Sequence, residues 1–134
     1  MEKTIINPAS LVAPRGFSHG IAVRGGRLLF LAGQDASDAR GQIVPGDLTA
    51  QFRQVLSNLQ AVTAAAGGGL GDVVKLTIFV RDRRDYLAKR KPLGEVYRTY
   101  FGDHYPTMAL FEVSGFFQEQ ALVEIEGFAV LPDA

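Results

Sequence analysis

The chain has 134 residues, 47% hydrophobic and 21% charged, a balance typical of a globular protein that buries its own core. Basic and acidic residues both number 14, so the formal net charge is zero. A zero net charge argues against a polyanion binder, because phosphate contacts need a surplus of cations. The absence of cysteine excludes disulfides, thiolate nucleophiles and cysteine-based metal sites.

An even composition without repeats, low-complexity tracts or linkers predicts one domain over residues 1–134. The first ten residues, MEKTIINPAS, lack the apolar core of a signal peptide. No apolar run approaches the ~18 residues of a membrane span. We therefore expect a cytoplasmic protein without membrane contact, and no pattern in the sequence indicates a cofactor or a metal.

The first third of the chain predicts three strands. A loop with two prolines and a glycine, Pro8–Phe17, separates the first strand from the second. Gly25 and Gly26 separate the second apolar run from the third, which predicts a hairpin because glycine accepts a positive φ. The predicted strands are Lys3–Asn7, Ser18–Arg24 and Arg27–Gln34.

From Asp47 onward, apolar residues recur at helical spacing. Asp47 suits the N-cap, where a carboxylate accepts hydrogen bonds from free N–H groups. The three glycines of 67–69 suit the end of the helix. The apolar positions are Leu48, Phe52, Val55, Leu56, Leu59 and Val62.

The second half predicts a buried strand, a second helix over Asp85–Phe101, and two further strands. Pro92 lies inside that helix, so either the helix kinks there or its main segment starts there with proline in the first turn. The predicted strands are Asp72–Val80, Pro106–Val113 and Leu122–Leu131.

The element order β-β-β-α-β-α-β-β predicts an α+β protein with a mixed sheet and two helices on one face. Yet the strand Arg27–Gln34 is apolar on both faces, with Leu28 and Phe30 on one side and Leu29 and Leu31 on the other. A second apolar face that no helix covers needs a partner. We therefore predict a homo-oligomer in which sheet faces pack together.

Glu124 and Glu126 lie two apart in the last predicted strand, so both carboxylates point to the same face, ~7 Å apart. They suit an acid/base pair or a carboxylate that positions water, or else a pair at the surface or at an interface rim. Ser18 and His19 are adjacent in a strand and point to opposite faces, which disfavours a serine nucleophile. A polar contact or a pH-sensitive interface group explains His19 better.

Five segments in order resemble the RidA/YjgF family of small trimeric proteins over nearly the whole chain. They are FLAGQ, DLTAQFRQVLSNLQAVTAAAG, DVVKLTIFVRDRRDY, YPTMALFEV and LVEIEGFAV. The resemblance implies a chorismate-mutase-like fold and a homotrimer with a central barrel. It also implies a small-molecule ligand in each cleft between subunits. In the best-known members an arginine holds the carboxylate of a reactive imine, and a glutamate positions the water that hydrolyses it.

The cleft residues of the family match this sequence at only some positions. The cleft glutamate falls on Glu124, but the arginine falls on Met108 and a nearby cysteine falls on Leu110. The other polar cleft positions fall on apolar or small residues, among them Phe17, Ala32 and Gly94. Glu124 is therefore the candidate catalytic residue. The candidate substrate-binding residues are Phe17, His19, Ala32, Gly33, Gly94, Met108 and Leu110.

A methionine offers dispersion contacts and nothing ionic, so Met108 predicts a protein that is not an efficient 2-iminoacid deaminase. Two functions stay open: hydrolysis of a less polar imine-like substrate with Glu124 positioning water, or a non-catalytic ligand-binding or regulatory trimer. RNA cleavage or inhibition of translation is disfavoured by the neutral charge and the lack of a His/Lys site. Arg15 or Arg98 remains able to enter the cleft and replace the missing cation.

Overall fold

The computed structural model describes residues 1–134. It contains six strands, three α-helices and one short 3₁₀ turn, Leu70–Asp72. The strands are β1 (Glu2–Ile6), β2 (Gly20–Arg24), β3 (Arg27–Gln34), β4 (Val73–Val80), β5 (Thr107–Glu112) and β6 (Val123–Leu131). The helices are α1 (Leu48–Ala65), α2 (Arg83–Ala88) and α3 (Arg90–Phe101).

The main sheet has the strand order β3-β6-β4-β5, and β1 pairs with β2 in a small sheet of its own. β6 is antiparallel to both of its neighbours, while β4 and β5 are parallel. The sheet is therefore mixed, as predicted. None of the helices is both long enough and apolar enough to cross a membrane.

The predicted hairpin between β2 and β3 is wrong. Gly25 and Gly26 do turn the chain with φ values of 76° and 82°, but β2 pairs with β1 and β3 pairs with β6. The turn leads from one sheet into the other. A Cβ on Gly26 would lie 2.7 Å from Cγ1 of Val130, so glycine is needed where the turn packs against β6.

The predicted ends of α1 are confirmed. The Asp47 carboxylate accepts a hydrogen bond from the N–H of Ala50 at 3.1 Å, and Gly67 follows the C-cap Ala66 with a positive φ of 89°. The residues at helical spacing face the sheet, and Val55, Leu56 and Leu59 are fully buried. Apolar burial on this one face holds α1 against the sheet.

The second helical segment differs from the prediction because it consists of two helices, α2 and α3, that meet at Lys89. Pro92 lies in the first turn of α3, which is the second of the two predicted alternatives. Proline has no N–H to donate to the Ala88 carbonyl, so one continuous helix over Asp85–Phe101 would lose a hydrogen bond there, whereas the first turn of a new helix needs no such bond. The element order is therefore β-β-β-α-β-α-α-β-β, with three helices in place of two.

The two faces of the main sheet differ sharply. One face packs under the helices and buries Leu76, Ile125 and their neighbours. On the opposite face, which we call the outer face, Leu28, Phe30 and Phe128 keep exposed fractions of 60%, 69% and 39%. Because side chains alternate along a strand, each strand contributes to both faces. The face to which a residue points therefore decides which site it can join.

Candidate functional site

Met108 and Leu110 lie on the helix-covered face of the edge strand β5. They pair in parallel register with Leu76 and Ile78 of β4, and both are half-buried against the core. Because β5 is the last strand of the sheet, their side chains are reached from its open edge. Both residues therefore line a cavity wall instead of filling the middle of the core.

Two adjoining cavities of about 350 and 400 Å³ open beside Met108, and we call them together the Met108 cavity. Both are lined by Arg15, Ile78 and Tyr86. Their size falls within the ~300–1,000 Å³ range of small-molecule sites. The sequence resemblance placed a ligand beside Met108, and the structure offers room for one there.

The loop before β2 forms one wall of the Met108 cavity and carries Phe17. The buried Ser18 anchors this loop to the start of β5, because its N–H donates to the Pro106 carbonyl at 3.1 Å. Its hydroxyl donates to the Tyr105 carbonyl at 2.6 Å. Ser18 thus has a structural role, and Phe17 is held against the cavity.

His19 does not line the Met108 cavity. Its ring lies edge-on to Phe17 with centroids 5.1 Å apart, and its Nε2 lies 2.7 Å from the Val12 carbonyl oxygen. The N–H of His19 donates to the side chain of Asn7 at 2.8 Å. The structure therefore places His19 behind Phe17, where it braces the loop.

Gly94 lies on α3 and faces the Met108 cavity. A Cβ at this position would come within 3.2 Å of a guanidinium nitrogen of Arg98. The missing side chain therefore leaves the Arg98 guanidinium free to lie along α3 at the cavity. Arg90 lines the same cavity one turn before Gly94.

Aromatic rings complete this wall. Tyr97 stacks on Phe101 at 4.6 Å and on Tyr105 at 5.4 Å between centroids. Its hydroxyl donates to the His104 carbonyl at 2.6 Å, and burial raises its pKa well above the usual range. The phenol therefore stays protonated and bonded to the backbone, and its ring serves as a surface.

Glu124 lies on the outer face, away from the Met108 cavity. It pairs in register with Phe79 of β4, whereas Met108 shares its face with Leu76. Gly33 lies next to it across the sheet, where an added Cβ would approach Oε2 of Glu124 to 2.5 Å. Glycine at this position lets the carboxylate lie against β3, and the adjacent Ala32 is exposed.

Partial burial raises the pKa of the Glu124 carboxyl, and the negative charges of Asp35 and Glu126 raise it further. Asp35 is fixed in the loop after β3, because its carboxylate accepts hydrogen bonds from the N–H and the hydroxyl of Ser37. The side chain of Asn58 on α1 donates to the Asp35 carbonyl at 3.1 Å. The chain thus holds a second acid near the candidate catalytic one.

In a single chain, the predicted site residues form two groups on opposite faces of one sheet. Phe17, Gly94, Met108 and Leu110 belong to the helix-covered side, and Ala32, Gly33 and Glu124 belong to the outer face. Moreover, no three His, Asp or Glu side chains lie close enough together to hold a metal ion.

Sequence reasoning anticipated Arg15 and Arg98 as substitutes for the missing arginine, and both line the Met108 cavity. It missed Arg90 and the positioning contacts of Asp35. The spacing of Arg90, Gly94 and Arg98 was the available signal, because residues four apart share one face of a helix. For Asp35, the local contact with Ser37 indicates a turn, but its other neighbours come from α1 and from the loop before β6, which no local pattern predicts.

The mixed sheet with one helical layer defines an α+β protein, and comparison with known proteins gives the family. A family model described as endoribonuclease L-PSP matches residues 8–131. A RutC family protein of Pyrococcus horikoshii is 43% identical over 109 residues, which cover 81% of this chain and 82% of that protein. The 2-iminobutanoate/2-iminopropanoate deaminase of Escherichia coli is 32% identical over 133 residues, covering 97% of this chain and 98% of that enzyme.

Comparison with solved structures leads to the same family as comparison with the sequences of known proteins. The crystal structure of a Rid family protein from Yersinia pestis has a TM-score of 0.86 to this chain at 36% identity, covering 98% of this chain and 100% of that one. The chain therefore belongs to the RidA/YjgF family, whose model carries the endoribonuclease L-PSP description. The resemblance noted in the sequence is confirmed, together with the α+β fold.

Proposed function

We propose that this protein is a homotrimer that binds a small molecule in the clefts between its subunits and hydrolyses an imine- or enamine-like substrate there. The placement of Glu124 and Met108 on opposite faces of one sheet carries this proposal. The two cannot meet in one chain, so a complete site needs a second copy. The exposed apolar outer face supports such an assembly, because a monomer rarely leaves so large an apolar surface in water.

The chemistry assigned to Glu124 follows from its environment. An ionised carboxylate can take a proton from water while the water oxygen bonds to the imine carbon and the C=N bond becomes a C–N bond. That proton then passes to the nitrogen, which gives a carbinolamine. The hydroxyl proton of the carbinolamine moves to the nitrogen as the C–N bond breaks, so that ammonia leaves and a carbonyl compound remains. The raised pKa of Glu124 suits this task, because a stronger base accepts the proton more readily.

Met108 argues against short 2-imino acids as good substrates. The Escherichia coli relative is named for 2-iminobutanoate and 2-iminopropanoate, both of which carry a carboxylate close to the reacting carbon. A thioether cannot pair with that carboxylate, and losing a charge-assisted pair typically costs ~2–5 kcal/mol. The efficiency on 2-iminopropanoate should therefore be lower than with an arginine at this position, by about 30-fold or more.

The test is a set of three variants assayed for ammonia release from 2-iminopropanoate and from larger imines. Met108→Arg should gain activity on 2-iminopropanoate, while Met108→Leu, which preserves an apolar surface, should not. Glu124→Gln should lose turnover on every imine. Turnover of 2-iminopropanoate at a rate typical of deaminases, unaffected by any change at Met108, would refute the proposed substrate preference.

A non-catalytic ligand-binding or regulatory trimer is the second candidate. It is favoured by the apolar or small residues at most of the cleft positions, such as Ala32, Met108 and Leu110. Glu124→Gln separates the two candidates, because an enzyme loses turnover whereas a binding protein retains its ligand and never had turnover.

Cleavage of RNA, which the family description suggests, has less support in this chain. The rings of His19 and His104 each lie 2.7 Å from a backbone carbonyl, of Val12 and Val73 respectively. Each is therefore engaged in holding the fold, and the two lie in separate parts of the chain. No pair of histidines is arranged for acid–base cleavage of a phosphodiester.

A further inference from the structure

The Met108 cavity is lined by positive charge. Arg15, Arg90 and Arg98 line its first part, and Arg15 and Arg83 line its second part. No aspartate or glutamate lines either part, although the chain as a whole has as many acidic as basic residues. The neutral net charge of the chain therefore hides a local surplus of exposed arginines around this cavity.

Within a single chain, these four arginines have no carboxylate partner; the one acid that the proposed trimer would add to the cavity is Glu124 of another copy. The three ion pairs of the chain join Lys3 to Asp72 and Lys89 to both Asp47 and Asp85. None involves an arginine. Because all four residues are exposed, water and salt screen their mutual repulsion, and their guanidinium groups can pair with an incoming anion.

The remaining walls are apolar and flat. Ile78, Leu93 and Met108 provide aliphatic surface, and the stacked rings of Tyr97 and Tyr105 provide an aromatic one. A polarisable thioether adapts to varied ligand shapes. A ligand that fits both features therefore has a charged end and an apolar body.

We propose that the Met108 cavity binds a small organic dianion, with its charges on the arginines and its apolar part against Met108. One carboxylate pairs with one guanidinium as a fork, and three arginines around the first part of the cavity call for more than one negative charge. The arginines belong to α2, α3 and the loop before β2, and none of them belongs to β5. The charge of the ligand thus lies elsewhere than where an arginine at position 108 would hold it.

This inference rests on the proposed function only for the use of the cleft as a ligand site, and it replaces the less polar substrate that Met108 alone suggested. Two chemical sources supply a dianion: a dicarboxylate and a phosphate monoester. Benzylmalonate against 3-phenylpropanoate tests the first, and phenyl phosphate against phenyl sulfate tests the second. In each pair the apolar body is the same and the dianion carries one more negative charge at the same end.

The experiment is isothermal titration of the assembled wild-type protein with these four compounds. We expect at least one dianion to bind about tenfold or more tightly than its matched monoanion, and the pair that does so identifies the source. Arg90→Met and Arg98→Met should each weaken that binding by about tenfold or more, with Arg98→Lys intermediate. Arg53→Met, an exposed change on α1, should leave it unchanged.

Equal affinity for dianion and monoanion, no binding of either dianion at millimolar concentration, or arginine variants that fold and bind as the wild type does would overturn the inference. Circular dichroism of each variant checks folding. Glu124→Gln is titrated with the same compounds and assayed for imine hydrolysis, so that dianion binding and catalysis are measured separately in a variant expected to lose only the second. If the wild type binds a dianion but hydrolyses no imine, the dianion site stands and the proposed hydrolysis is wrong. If it hydrolyses an imine but binds no dianion, the proposed hydrolysis stands and the dianion site is wrong.

Discussion

A single methyl group at Gly33 would change where the Glu124 carboxylate can lie. The Cβ of an alanine would come within 2.5 Å of Oε2 and 3.1 Å of the carboxyl carbon. The end of a half-buried side chain can move away at small cost, so Gly33→Ala should leave the melting temperature nearly unchanged. A displacement of about 1 Å can cost up to ~100-fold in rate, so kcat/KM for imine hydrolysis should fall by roughly ten- to 100-fold.

Gly71→Ala is the matched control, because a Cβ at Gly71 meets nothing within 4 Å. Its kcat/KM should equal that of the wild type. In a Glu124→Gln background, Gly33→Ala should cause no further loss, since the group that it displaces has already lost its function. A Gly33→Ala protein as active as Gly71→Ala would show that the position of the carboxylate is not critical.

Individual site residues were predictable to different degrees. Glu124 was found because its spacing to Glu126 and the family pattern agreed on it. The basic cavity was only half foreseen, through Arg15 and Arg98, because net charge is a sum over the chain and says nothing of where charges gather. The contact between Gly33 and Glu124 depends on the pairing of β3 with β6, which no local pattern encodes.

At the level of elements, the buried Gln51 joins α1 to the start of β6. Its amide donates to the Gln120 carbonyl at 3.0 Å and accepts from the Leu122 N–H at 2.8 Å. Gln51→Leu would remove the partner of both backbone groups in a partly buried place, and a group left unsatisfied there costs ~1–3 kcal/mol. We expect the free energy of unfolding to fall by about 2–4 kcal/mol, measured by urea denaturation.

The same substitution at Gln60, which is exposed on the same helix, should change the free energy of unfolding by no more than ~0.5 kcal/mol. A Gln51→Leu protein as stable as Gln60→Leu would mean that water replaces the lost hydrogen bonds. Gln51→Glu gives a further check, because it retains an acceptor for Leu122 and loses only the donor to Gln120. Its loss of stability should include the added penalty of burying a charge.

Elements formed by contacts between residues close in sequence were predicted correctly, and strand pairings that depend on distant segments were not. The ends of α1 were predictable because Asp47 caps it through a contact three residues away. The hairpin was wrong because the choice of partner for β2 lies with β1, about twenty residues earlier in the chain. The division at Lys89 was left open because Pro92 permits both a kinked helix and a new one.

At the scale of the whole molecule, the outer face is an apolar surface that nothing in a single chain covers. Phe30 and Phe128 contact each other edge-on at 5.3 Å, yet both remain exposed, as does Leu28. The alternation of β3 predicted this second apolar face from sequence. Which copies cover it, and with what symmetry, is not encoded in the alternation, because a period of two records only that both faces are apolar.

Phe30→Asp tests whether this face holds the proposed trimer together. Phe30 is 69% exposed in a single chain, so an aspartate should leave the subunit folded. In a closed trimer the change would place three like charges in an apolar interface, which is strongly unfavourable. Light scattering at micromolar concentration should give three times the 14.5 kDa of one chain for the wild type and one chain for the variant.

Ala61→Asp introduces the same charge on the exposed side of α1 and should keep the trimer mass. Because Glu124 and Met108 can meet only between copies, Phe30→Asp should also abolish imine hydrolysis while its circular dichroism stays that of a folded protein. A wild type that is monomeric, or a monomeric Phe30→Asp with full activity, would contradict a site shared between subunits. A loss of activity on dissociation would link the apolar face to the chemistry proposed for Glu124.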